Sequence, residues 1–119
     1  MSYEAKVASV SAGGASWVGK LAQFFPEATP VRIPVRVTGI DSAGEMCSEE
    51  TVIEFGTPRE VIFSSHLPLE FATQLRVENS DGSLRTEASV VALQLHDGKM
   101  AVAARFLRQP SNWIVKSGH

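Results

Sequence analysis

The sequence predicts an all-β fold, a six-stranded antiparallel barrel with a short N-terminal helix. Three observations carry this expectation. From residue 31 onward apolar and polar residues alternate with period two, the pattern of strands with one buried face. Two Asp-Gly pairs, Asp81-Gly82 and Asp97-Gly98, punctuate these runs, and Asp-Gly tolerates the positive φ angles of tight hairpin turns. No helical pattern separates the strands, so they connect antiparallel, and closing the sheet removes its exposed edges.

Residues 1–30 read as an N-terminal segment and 31–119 as the barrel with its C-terminal tail. The small residues Ser9 to Ser16 suggest a loop or hinge. Trp17, Val18, Leu21, Phe24 and Phe25 then fall at helical spacing, which predicts a helix over 17–25, capped by Ser16 and stopped by Pro26. Its apolar stripe needs a partner, either its own barrel or a second copy of the chain. Val31, Ile33, Val35 and Val37 mark the first strand, with Pro34 requiring an edge or a bulge because it cannot donate to a ladder. Asp41-Ser42-Ala43-Gly44 supplies a turn into a second strand over 46–55, and a third is expected over 60–64. Leu75 and Val77 define the fourth, 84–95 the fifth, and Met100, Val102, Ala104 and Phe106 the sixth. Val90 to Leu93 is apolar on both faces, which fits a closed barrel or a covered sheet.

A chain of 119 residues fits one domain. Eleven basic residues face thirteen acidic ones, and neither half is basic, which argues against a nucleic-acid polymer as ligand. A small anion remains allowed, since two or three placed arginines suffice for it. No apolar run approaches the roughly 20 residues that cross a bilayer, and the first residues lack a signal-peptide pattern, so neither a membrane span nor export is expected. Cys47 stands alone, which excludes an internal disulfide and fits a cytoplasmic setting.

Catalytic chemistry is not expected. His66, His96 and His119 are scattered, and one cysteine with them makes no metal spacing. Ser64-Ser65-His66 puts a hydroxyl beside an imidazole, but strand neighbours point to opposite faces. The same divergence makes Glu49-Glu50 a solvated charge pair, not an acid–base dyad. Cys47 reads as a strand or core residue, Trp17 and Trp113 as packing groups, and no glycine run matches a phosphate loop. No cofactor is implied.

Pro30 to Asp41, with Arg32, Pro34 and Arg36, resembles the first barrel strand and turn of the PilZ domain family. Ser42 to Thr51 resembles its "D-x-x-G-x-x-F-x-E-x-T" phrase, and Ala104-Arg105-Phe106-Leu107 with Asn112-Trp113 resembles its closing strand and aromatic tail. The likeness covers about residues 30–115 and implies a six-stranded barrel and, for typical members, binding of cyclic di-GMP.

The ligand motifs of that family, R-x-x-x-R before the first strand and [D/N]-x-S-x-x-G after it, are altered here. Glu54, Gly56 and Arg59 stand where Asp or Asn, Ser and Gly are usual, and residues 20–30 contain no arginine. Arg32 and Arg36 keep the arginine spacing, but inside the first strand on its polar face. The resemblance therefore implies a non-catalytic, PilZ-like adaptor that has lost the usual nucleotide site and acts on a protein partner. The alternative is a true cyclic di-GMP receptor with a rearranged site built from Arg32, Arg36 and Arg59. A third class, an oligonucleotide- or oligosaccharide-binding barrel, requires exposed aromatics on a basic face, whereas most phenylalanines here sit in apolar contexts.

Overall fold

The alternating residues do form strands, and the strands close on themselves. The computed structural model describes residues 13–40 and 43–116, with side chains from Val18 onward. A helix, α1 (Gly13–Ala22), precedes β1 (Thr29–Ile40), β2 (Met46–Gly56), β3 (Glu60–Ser65), β4 (Gln74–Glu78), β5 (Arg85–His96) and β6 (Lys99–Phe106). The order around the closed barrel is β1-β2-β3-β6-β5-β4, every neighbouring pair antiparallel. Each expected strand is present, its ends within two residues of the predicted ones.

The turns follow their residue types. Asp97 and Gly98 both take positive φ, 50° and 79°, closing β5 onto β6 in a two-residue loop. The Asp81-Gly82 connection is wider. Pairing stops at Glu78 and Arg85, and Asn79 spans the gap by accepting from the Leu84 amide while its own amide donates to the Leu84 carbonyl. Asp81 accepts from the Ser83 amide at 2.9 Å, and that bond holds its carboxyl below the ordinary range.

Inside the barrel Val35, Val37, Ile53, Phe63, Val77, Val90 and Val102 form one core. Three bulges alter the alternation. The β1–β2 register shifts between Pro30 and Ile33, the β2–β3 register between Ile53 and Phe55, and the β5–β6 register between Val90 and Ala92. A bulge moves the following side chains to the other face. Ile53 therefore points inward while Phe55 packs outside, and both Val91 and Ala92 lie outside between the inward Val90 and Leu93. This explains the run that is apolar on both faces. The expected edge position of Pro34 also holds: it pairs with Val52 on one side, and β1 meets β4 only over Arg36–Gly39.

The outer apolar face lies under α1. Val18, Leu21 and Ala22 pack against Ile62, Ala101 and Ala103, with Phe25, Phe55, Val91 and Ala92 around them. The helix thus covers the barrel wall rather than an open end. Its bounds correct the expectation. It starts at Gly13, four residues earlier than predicted, so Gly13–Ser16 is helix and Ser16 is no cap. It ends at Ala22, after which Phe24 and Phe25 donate to Leu21 and Ala22 in tightened i→i+3 bonds. The tightening rotates Phe24 off the stripe, leaving it 73% exposed. The Trp17 side chain, residues 9–12, the Asp41-Ser42 part of the first turn and His119 lie outside the described residues.

One end of the barrel is filled by the tail. Trp113 is buried, meets Phe106 edge-on at 5.2 Å and donates from Nε1 to the Thr57 carbonyl at 2.6 Å. Its ring lies so near Gly56 that a Cβ there would sit 2.5 Å from Cζ2, so only glycine fits.

Candidate functional site

The three candidate arginines stand in different surroundings. Arg36, on the outer face of β1, is cross-strand from Glu50 on β2 and bonds its Oε2 at 3.1 Å. Both side chains are exposed, which limits the pair to about 1 kcal/mol or less. Arg36 and Glu50 form one wall of an open groove of about 670 Å³, whose far side is Glu78, Asn79 and Ser80. Arg32 lies on the same face, four residues earlier, and its charge acts on Glu54. Burial raises the Glu54 carboxyl above its ordinary value, and Arg32 offsets only part of that rise. Arg59 sits at the β2–β3 turn and lines a separate groove with Gln109 and Lys116.

The segment from Glu54 to Arg59 is committed to the barrel. Glu54 sits in the bulge, Gly56 admits Trp113, and Thr57 folds the turn. The Thr57 hydroxyl bonds the Glu60 carboxylate and accepts from the amides of Arg59 and Glu60. The other Glu60 oxygen accepts from Arg105 Nε and Nη2, each at 2.8 Å. A buried carboxylate is tolerable only when bonded in this way.

At the opposite end the structure gathers residues that sequence reasoning kept apart. Glu49 points inward from β2, and its Oε1 accepts from the Ser65 hydroxyl at 2.7 Å. The His66 amide lies 3.1 Å from both oxygens, and His66 Nδ1 donates to Oε2 at 2.9 Å. Burial alone would raise the Glu49 carboxyl. The bonds from Ser65 and His66 outweigh it and hold the group below the ordinary range. Expecting Glu49-Glu50 to be a solvated pair is therefore half right: Glu50 faces water and Glu49 does not. The period-two alternation of β2, with Cys47, Glu49, Thr51 and Ile53 on one face, was the available signal. The cluster is not a nucleophile triad, because the carboxylate lies between hydroxyl and imidazole and Ser65 is buried.

Four large apolar side chains are exposed around that same end. Ile40 and Met46 are cross-strand partners at the β1–β2 turn, Phe71 lies on the β3–β4 loop, and Leu95 is near the tip of the β5–β6 hairpin. Cys47, a free thiol, is half-buried beside them. No helix among the described residues is long and apolar enough to cross a membrane. Compared with known proteins, the chain matches no family model and no curated sequence.

Proposed function

We propose that the chain is a non-catalytic, PilZ-like adaptor that works through protein contacts and lacks that family's usual nucleotide site. What carries the reading is the fate of residues 54–60: the stretch that would contact a ligand spends its polar groups and its glycine on the bulge, the turn and the Trp113 plug. Arg36 is matched by Glu50, and Arg59 faces a different groove. The apolar side chains Ile40, Met46, Phe71 and Leu95 at one barrel end suit contact with a protein partner.

The test is a calorimetric titration of the full chain with cyclic di-GMP. A guanidinium fork on guanine is worth roughly 1–3 kcal/mol, and each 1.4 kcal/mol is about tenfold. Loss of the arginine pair, the serine and the glycine therefore predicts affinity weaker than about 100 μM. Low-micromolar binding that disappears in Arg32→Ala, Arg36→Ala or Arg59→Ala would replace this reading with the rearranged receptor.

A further inference from the structure

A groove of about 530 Å³ lies on the outer face of β4 and β5, closed on one side by the start of the C-terminal tail. Arg76, Arg85 and Arg108 line it, together with Glu87, Leu107 and Pro110. The volume falls within the range of roughly 300–1,000 Å³ typical of small-molecule sites. We infer that this groove binds a small phosphorylated ligand.

The register brings the first two arginines together. Arg76 is cross-strand from Glu87, and Arg85 lies two residues before Glu87 on the same face. Such diagonal neighbours lie about 7–8 Å apart, within reach of one phosphate for side chains of this length. Arg108 comes from the opposite wall. The tail is pinned there because the Leu107 amide donates to the Glu87 carbonyl at 2.9 Å and the Thr86 hydroxyl reaches the Arg108 carbonyl. Three elements thus aim guanidinium groups at one space.

These charges are little compensated. Arg85 has a loose contact with Glu78 at 3.8 Å, and Arg76 and Arg108 have no ion-pair partner among the described residues. Among the described residues Arg76 makes no ion pair, although Glu87 is its register partner. The chain as a whole carries a net charge of −2, so three arginines against one lining carboxylate is a local excess of positive charge. Guanidinium forks match phosphate oxygens bidentately. Leu107, half exposed, and Pro110 give the groove an apolar wall for the organic part of a phosphate ester. Glu87 supplies an acceptor for a hydroxyl or amine on the same molecule. This site shares no residue with the Arg32, Arg36 and Arg59 set, and it stands whether or not the adaptor reading does.

The test is an NMR titration of the full chain with three probes: pyrophosphate, a nucleoside 5′-monophosphate and the corresponding unphosphorylated nucleoside. Both phosphorylated probes should shift the amides of residues 85–87 and 107–109, and the nucleoside should not. Arg76→Gln and Arg108→Gln should each weaken binding roughly tenfold with no change in thermal midpoint, since both side chains are exposed. Glu87→Gln should tighten pyrophosphate binding, because the carboxylate that repels phosphate is gone, an outcome a structural role for the groove would not give. Tighter binding of the nucleotide assigns an organic ester, tighter binding of pyrophosphate assigns an inorganic ligand, and both uphold the site. Shifts confined to other surfaces, equal response to the nucleoside, or affinity unchanged in both arginine variants would overturn it.

Discussion

Two glutamates five positions apart on β2 answer acid in opposite directions. Glu49 is held below its ordinary range, so its contribution is present above about pH 4.3 and is lost as pH falls through the lower folded value. Replacing it with Gln should cost about 1–3 kcal/mol at pH 7, because charge-assisted bonds to Ser65 and His66 go. The cost should shrink toward pH 3, as urea denaturation at the two pH values will show. Glu54 is the reverse case. Its folded value is raised, so ionisation opposes folding as pH rises through it, and relief is complete below about pH 4. Glu54→Gln should therefore stabilise at pH 7, by under about 1 kcal/mol after solvent screening, and be neutral in acid. A destabilised Glu54→Gln protein at pH 7 would contradict this account. Little of this was legible beforehand. The alternation of β2 shows which face Glu49 shares, but its bonds to Ser65 and His66 depend on the β2–β3 register, and a bulge at Glu54 sets that register.

Among the elements, α1 shows where local propensity stops informing. Apolar spacing located Val18 and Leu21 correctly, yet both helix ends were misjudged: the helix starts four residues earlier, and its last turn tightens where Leu21 and Ala22 meet the β3–β6 wall. Gly19 faces that wall, and a Cβ there would meet the Phe55 ring at 3.8 Å, an ordinary contact. Gly19→Ala should thus remove the helix penalty of about 1 kcal/mol without a clash and raise the thermal midpoint. A lower midpoint would mean that the helix sits closer than the contact implies. Deleting residues 1–25 uncovers Phe55, Ile62, Ala101 and Ala103, so the truncated chain should bind more of a hydrophobic dye and lose solubility. The tail is the counterpart at the barrel end. Trp113→Ala should cost about 3–5 kcal/mol in chemical denaturation, as expected for a buried aromatic.

For the whole molecule, the barrel was the readable part. Strand alternation, Asp-Gly turns and the absence of crossover helices each depend on a few neighbouring residues, and they agree with one another. The bulges were not readable, since an extra residue shows only against a partner strand. The convergence of Arg76, Arg85 and Arg108 was hidden for the same reason: it depends on pairing across the Asn79–Leu84 loop and on where the tail is pinned. The half of β1 that β4 does not reach has a further consequence, for how copies of the chain behave at high concentration. A bare strand margin invites a neighbouring molecule to continue the ladder, and that is a common first step toward fibrils. Pro34 interrupts the margin with a residue that cannot donate, and Arg32 sets an exposed charged side chain beside it. Pro34 thus also hinders a neighbouring chain from continuing the sheet there. Pro34→Val should leave the isolated fold intact and speed concentration-dependent growth of β-rich aggregates, followed by light scattering.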